Sequence, residues 1–375
     1  MFIVDKAIHI AFGIYFFSVI WFLIGILATK RKKISKSAFT SSVSVIVCVR
    51  NGEDSLNKIL FDLKNQIYNN KHEFIIVDDE STDQTKAIIN RFVDSDSRFV
   101  YLSSADGNNK LKNKNRALDV GIKSAKYDLL VFTDVDCRME NQWLNSMVSN
   151  YHDKTEFVIG YSRVVAKKSL VSIFQSIDFR MLMFCSLGAA NMRTPFGSTG
   201  QNQSYRKEIF IKNNGFKQLE GLVQGDDSLF LNICNNHPNF QVKFSIYKES
   251  YVIAKTLNSW KDLFSQRMRW AGDAHLMYKF NKVFFIIFLG FFISNIACIL
   301  APLIYIYTNI PIIFFMVIKF LIELLLFLLG SYLLNEKIYI HQFVFWFFTQ
   351  IFYVVVIGLL SPFKFINSWK GRTIN

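Results

Sequence analysis

The run from Ala7 to Ala28, AIHIAFGIYFFSVIWFLIGILA, constrains this chain most, because it contains no Asp, Glu, Lys or Arg. About 20 apolar residues, coiled into a helix, match the hydrocarbon thickness of a bilayer, so the run predicts a spanning helix. Three further stretches of sufficient length close the chain: Val283 to about Tyr307, Ile310 to Leu334 and Ile340 to Leu360. A cleavable signal peptide would carry a basic leader and a small-residue cleavage site. Met1 to Lys6 instead holds one Asp and one Lys, and the basic residues Lys30, Arg31, Lys32 and Lys33 follow the apolar run, as in an uncleaved anchor. Lys and Arg beside a span favour the cytoplasmic face, so everything after Thr29 is expected in the cytoplasm, in an integral protein of a bacterial plasma membrane. For the tail two expectations conflict. Three closing spans leave it outside, whereas Lys364, Lys370 and Arg372 favour the cytoplasm, and Pro302 and Pro311 mark where one stretch would re-enter or lie in the interface.

The formal net charge of +14 fits nucleic acid in principle, but the surplus partly borders the spans, where it can meet anionic headgroups. Membrane, and no nucleic acid, is the expected partner. Cys48, Cys137, Cys185, Cys234 and Cys298 form no CxxC pair and leave an odd thiol, which indicates neither a zinc site nor a disulfide framework.

Between the apolar ends the pattern is alternating. Val43 to Val49 (VSVIVCV) reads as a buried parallel strand ended by Arg50, Asn51 and Gly52. Leu56, Ile59, Leu60 and Leu63 recur at helical spacing, and HEFIIV forms a second strand ending at Asp78 and Asp79. A helix from about Asp83 to Val93, a strand near Phe99 to Leu102, a helix near Lys114 to Ala125 and a strand Asp128 to Phe132 continue the rhythm. Such alternation predicts an α/β fold with a doubly wound sheet, in which ligands sit beyond the carboxyl ends of the strands. No GxGxxG follows the first strand, so hydride transfer with a dinucleotide loses its main support. From Leu170 to Ala190, apolar residues fall largely on one helical face, interrupted by Asp178 and Arg180; an interfacial helix and an ordinary core helix fit equally. Lys255 to Lys282 mixes Trp260, Phe264, Trp270 and Tyr278 with Lys261, Arg267, Arg269 and Lys279, as a helix lying among headgroups would. The expected organisation is an anchor (1–29), a basic linker (30–41), a catalytic domain (42–254), an interfacial helix (255–282), closing transmembrane helices (283–361) and a basic tail (362–375).

Four polar stations punctuate this frame: Asp78 and Asp79 in VDDESTDQT, Asp134 and Asp136 after LLVFT, Asp226 and Asp227 in QGDDSLF, and Gln266, Arg269 and Trp270 in QRMRW. Each alone is weak, since a strand-end Asp often just caps a helix, as Asp83 is placed to do. Their order and strand-end contexts together are specific. They resemble the large inverting family 2 of glycosyltransferases with the GT-A fold, over about Val43 to Trp270. Arg50-Asn51-Gly52-Glu53 after the first strand, Lys114 with Ala117-Leu118-Asp119, and GQNQSYRKEIFIKNNGF also carry the likeness. It is sharpest to membrane-bound members with QxxRW, among them ceramide glucosyltransferase-like enzymes and polysaccharide synthases. The ending Ser368-Trp369-Lys370-Gly371-Arg372 is similar to the tail of some lipid-glycosylating members.

The resemblance implies a nucleotide-sugar donor, UDP-linked by family habit, and a divalent Mg2+ or Mn2+ ion. A departing diphosphate accumulates charge that a divalent cation offsets, and a hard cation of this kind needs only one or two carboxylates, with waters and phosphates completing its shell. Asp136 is the expected ligand, with Asp134 supporting it or contacting the ribose. Asp78 and Asp79 would accept hydrogen bonds from uracil or ribose, Glu53 would sit near the nucleotide, and Lys114 near the base or phosphates. Inverting transfer needs a base within reach of the acceptor hydroxyl. Asp227 is assigned that role with Asp226 as fallback, because the family often shows Glu-Asp where this chain has Asp-Asp. Arg269 would bind the departing diphosphate, Gln266 would add a neutral hydrogen bond, and Trp270 would offer a flat face to the acceptor. The expected reaction moves a hexose or N-acetylhexosamine to a membrane lipid or lipid-linked glycan. Single transfer is favoured over a processive polysaccharide synthase because four apparent spans supply few helices for a channel. Two competing classes are a nucleotidyl transferase, since Gly225-Asp226-Asp227 is also a polymerase palm motif, and a non-catalytic membrane protein that binds nucleotide sugars.

Overall fold

A computed structural model describes residues 2–29, 41–152 and 154–361, together with the backbone of 368–369 and 372–373. The basic run Lys30 to Lys33 and the side chains of Lys364, Lys370 and Arg372 lie outside the described residues, as does most of the expected linker and tail.

The chain opens with α1 (Phe2–Leu27) and then alternates: β1 (Val43–Val49), α2 (Glu53–Lys64), β2 (His72–Asp78), α3 (Thr85–Ser95), β3 (Phe99–Ser103), α4 (Asn113–Ser124) and β4 (Leu129–Asp134). Shorter elements follow: β5 (Arg138–Met139), α5 (Trp143–Val148), β6 (Phe157–Ile159) and β7 (Ser162–Val164). The long α6 (Leu170–Asn191) precedes β8 (Gln203–Arg206), α7 (Lys207–Lys212), α8 (Ser228–Asn235), β9 (Val242–Phe244) and β10 (Val252–Ala254). The closing helices are α9 (Trp260–Phe280), α10 (Lys282–Ile299), α11 (Ala301–Thr308), α12 (Ile312–Leu333) and α13 (Ile340–Leu360).

The main sheet has the order β3-β2-β1-β4-β8-β6-β9, and β5-β10-β7 form a small second sheet. The first four strands are parallel, as the alternation predicts; beyond β4 the sheet is mixed, with β8 antiparallel to both β4 and β6. β1 is apolar along its length because it is covered on both faces, and Val43, Val45, Ile46, Val47 and Val49 are all buried. The strand order reverses between β1 and β4, where a parallel sheet opens a crevice at its carboxyl edge. Register puts Cys48 opposite Asp134 there.

The loops after β1 and β2 interlock, which accounts for two of the sequence elements. Arg50 Nη1 donates to the carbonyls of Asp79 and Glu80 at 2.6 and 2.7 Å. Asn51 N donates to Ser81 Oγ, Thr82 N to Asn51 Oδ1, and Gly52 N to Thr85 Oγ1, each at 2.9 Å. Glu53 accepts from Gln84 N at 3.0 Å, and Asp83 accepts from Glu53 N at 3.1 Å.

Among the described residues five helices, α1, α6, α10, α12 and α13, are long and apolar enough to cross a membrane. α6 is a buried helix, packed against α1, α12 and α13. Its charges are compensated: Asp178 pairs with Arg267 of α9 at 2.8 Å, and Arg180 with Glu336 at 3.2 Å. α1 and α6 cross at Gly25 and Gly188, where a Cβ on Gly25 would lie 2.0 Å from the Gly188 carbonyl oxygen. The stretch expected to run unbroken to Tyr307 divides after Ile299, and the short α11 ends at Asn309 in the left-handed region (φ 58°).

Candidate active site

The acidic stations meet at the crevice because each sits where an element ends. Asp134 closes β4 and Asp136 follows in the turn, while Lys114 lies in the first turn of α4. Lys114 Nζ sits 2.8 Å from Asp134 Oδ1 and 3.1 Å from Asp226 Oδ2, joining the two acidic pairs. Burial alone would lower the Lys114 pKa, but the fields of Asp134 and Asp226 outweigh it and hold the ammonium firmly protonated. Gly200, which opens the GQNQSYRK stretch, allows this approach: a Cβ there would fall 2.6 Å from Lys114 Nζ and 2.9 Å from Asp226 Oδ2.

Asp227 caps α8. Its Oδ1 accepts from Ser228 N at 2.5 Å and its Oδ2 from Gly200 N at 3.2 Å, which fixes the carboxylate at the helix entrance. Desolvation, then the neighbouring charge of Asp226, push its pKa up to about 6, against the opposing pull of Lys114 and these backbone donors. The loop before it is tied to α9, since Gln224 Nε2 donates to the Arg269 carbonyl. α9 in turn is started by Ser259, whose Oγ accepts from Asp262 N at 3.1 Å. Burial lowers the pKa of Arg269.

One cavity of about 650 Å³ gathers these residues. Its walls carry Asp79, Lys114, Asp134, Asp136, Asp226, Asp227, Gln266, Arg269 and Trp270, and it continues between α1, α6, α10, α12 and α13. Asp78 and Glu53 are not among the wall residues. Asp78 accepts from Ser81 N at 3.0 Å, and Glu53 serves the loop interlock. Asp79 is 2% exposed and accepts from Ser104 Oγ at 2.7 Å. Among the described residues no group of three or more His, Cys, Asp or Glu side chains forms a metal cage. Asp134 and Asp136 nevertheless offer the hard oxygen donors that a Mg2+ or Mn2+ ion sharing its shell with phosphates requires, so the donor set fits such an ion.

Sequence reasoning left one cluster without a role. Arg267, expected among headgroups from its place in a mixed aromatic and basic helix, is 4% exposed, paired with Asp178, with its guanidinium 4.1 Å from the centre of the Trp270 ring. Trp346 Nε1 of α13 lies 3.5 Å from Asp178 Oδ1. The signal available was a second arginine inside QRMRW and an Asp in an otherwise apolar helix.

The family model described as Glycosyl transferase family 2 matches residues 44–213. The chain is 25% identical over 249 residues to a probable glycosyltransferase, YdaM, of Bacillus subtilis, covering 65% of this chain and 58% of the relative. It is 24% identical over 226 residues to poly-beta-1,6-N-acetyl-D-glucosamine synthase of Staphylococcus aureus, covering 60% of this chain and 51% of that one. The chain thus spans little more than half the length of these curated relatives. Among solved structures, the mannosyltransferase PcManGT of Pyrobaculum calidifontis, in complex with GDP-Man and Mn2+, has a similar fold: TM-score 0.59 and 14% identity over 96% of this chain and 99% of that one. This match lies on the sheet and crevice described above: residues 44–213 match glycosyl transferase family 2, and the fold is that of the GT-A glycosyltransferases.

Proposed function

We propose that this chain transfers a hexose or N-acetylhexosamine, with inversion, from a nucleotide sugar to a hydroxyl of a lipid or lipid-linked acceptor, as an integral membrane protein with its catalytic domain in the cytoplasm. The observation that carries the reading is the single cavity in which Asp134, Asp136, Asp227 and Arg269 face one space that continues among five apolar helices.

Donor binding falls to the β1–β4 crevice, with Asp79 toward the base or ribose and Lys114 toward the phosphates. UDP is favoured by family habit, while the GDP-Man bound to the mannosyltransferase of like fold keeps GDP sugars in the test. A Mg2+ or Mn2+ ion held by Asp136 with help from Asp134 would offset the charge that gathers on the leaving diphosphate. Arg269, desolvated and forked, binds the same diphosphate from the α9 side. Asp227 takes the proton from the acceptor hydroxyl as that oxygen attacks the anomeric carbon; a base with a pKa near neutrality is ionised at working pH yet still basic enough to accept. Arg267 covers one face of Trp270, which leaves the other face for the acceptor.

A second reading, repeated transfer to make a polysaccharide, draws support from the poly-beta-1,6-N-acetyl-D-glucosamine synthase relative. Purified full-length chain in nanodiscs, supplied with labelled UDP and GDP sugars and separately with nucleoside triphosphates, tests both. One sugar per acceptor is expected, with label lost in Asp136→Ala and Asp227→Asn. A product ladder selects the polymer reading. Transfer from triphosphates alone, or unimpaired transfer by both variants, rejects the proposal.

A further inference from the structure

The cavity walls hold seven carboxylates and four cations, Arg50, Lys114, Arg267 and Arg269, and two of the carboxylates are met from behind the wall, Asp79 by Arg116 at 3.8 Å and Glu323 by Lys319 at 2.9 Å. Arg50 is committed to the carbonyls of Asp79 and Glu80, Lys114 to Asp134 and Asp226, and Arg267 to Asp178. Arg269 alone of the four has a guanidinium without a partner among the described residues, and under the proposed function it goes to the donor diphosphate. With the divalent ion and Arg269 given to the donor diphosphate, a phosphate on the acceptor would bring further negative charge into a low-dielectric space in which no cation among the described wall residues is left to meet it.

The membrane end of the cavity has the opposite character. Glu323 of α12 is 3% exposed; its Oε1 accepts from Lys319 Nζ at 2.9 Å and from Tyr15 OH at 2.5 Å, so the charge is balanced, while Oε2 has no hydrogen-bond partner among the described residues. Gln350 of α13 is 1% exposed, and both its amide oxygen and its amide nitrogen are without partners among the described residues. Both residues belong to the cavity wall. Ionisable and amide groups among apolar helices are costly to keep unless they serve a ligand or a relay, and these offer hydrogen bonds without net charge.

We infer that the acceptor is an uncharged lipid: one hydroxyl is presented to Asp227, a second hydroxyl or amide group is met by Gln350 and Glu323, and the hydrocarbon lies among α10, α12 and α13. The inference rests on the glycosyl-transfer reading and narrows its acceptor, excluding a lipid phosphate.

The test needs neither the sugar nor turnover. Full-length chain in phosphatidylcholine nanodiscs is exposed to diazirine-bearing diacylglycerol and ceramide, each beside its phosphorylated counterpart, phosphatidic acid and ceramide 1-phosphate. Crosslinked peptides are mapped by mass spectrometry. At least one neutral probe is expected to label cavity-lining peptides of α12 and α13 at least roughly tenfold over its phosphorylated partner. Gln350→Leu is expected to lower that labelling about fivefold while UDP binding stays within about twofold. The wild-type comparison carries the test even if the variant fails to fold. Equal labelling within both pairs, preference for the phosphorylated members, or no cavity labelling by either neutral lipid overturns it. A chain that binds no nucleoside diphosphate fails the glycosyl-transfer reading instead, and UDP binding measured alone separates the two failures.

Discussion

At the scale of single residues, Asp227 joins geometry to rate. Its carboxyl is raised to about 6, chiefly by desolvation and by Asp226, and as the proposed base it would take the acceptor proton only in its ionised form. Activity is therefore expected to rise with pH through about 6 and to level off above it, so kcat/KM should show an acid limb near that value. Asp227→Asn should lower kcat by about 10²–10⁴-fold and remove the limb, while leaving nucleotide binding in place. A pH–rate profile of both proteins checks this, and an unchanged limb in the variant would move the base elsewhere. Much of this cluster was legible in the sequence, because Asp134, Asp136, Asp226 and Asp227 each stand at an element's end, a position local pattern can find. Arg267 against Asp178 was not, because no local signal pairs a residue of α6 with one of α9.

Elements are positioned by contacts of that second kind. The Asp178–Arg267 pair is deeply buried and links α6 to the helix that carries Gln266, Arg269 and Trp270. Removing one partner strands a buried charge, so Arg267→Leu should cost on the order of 3–5 kcal/mol and the double variant with Asp178→Leu less than that. Thermal unfolding of the three proteins in one detergent measures the difference, and additive losses would deny the coupling. The α1–α6 crossing makes a steric demand: a Cβ on Gly188 would fall 2.4 Å from the Phe22 carbonyl oxygen. Gly188→Ala must force the helices apart, at a cost of roughly 1–3 kcal/mol, visible as a lowered Tm. The strands with long apolar runs, β1, β2 and β4, were readable from those runs. β6, β7, β9 and β10 span only three residues each, too short for any periodicity, so the mixed half of the sheet emerges only from its pairings.

On the scale of the whole molecule, hydropathy identified four apolar stretches but left α6 between two readings, because Asp178 and Arg180 break its pattern and their compensating partners are remote in sequence. The contacts also orient the bundle. Phe12 stacks on Phe315 with ring centres 4.7 Å apart, Tyr15 bonds Glu323, and Gly330 lies against Phe184 of α6, whose Gly188 abuts Phe22, so α1 and α12 run in the same direction. The far end of α12 is fastened to the catalytic domain: Arg163 of β7 meets Glu336 at 2.5 Å, and Tyr251 OH donates to the Leu334 carbonyl at 3.2 Å. If α1 crosses the bilayer, the turn at Asn309 must then lie with the N-terminus, and the turn at Lys337 with the catalytic domain. In a background freed of the five native cysteines, Asn309→Cys is expected to react with an impermeant maleimide on intact cells, and Lys337→Cys only after permeabilisation. Both positions are exposed, so access to the reagent depends on the side of the membrane and not on burial. Labelling of both from one side would mean that α12 does not cross, and the acceptor path inferred between α10, α12 and α13 would lose its bilayer setting.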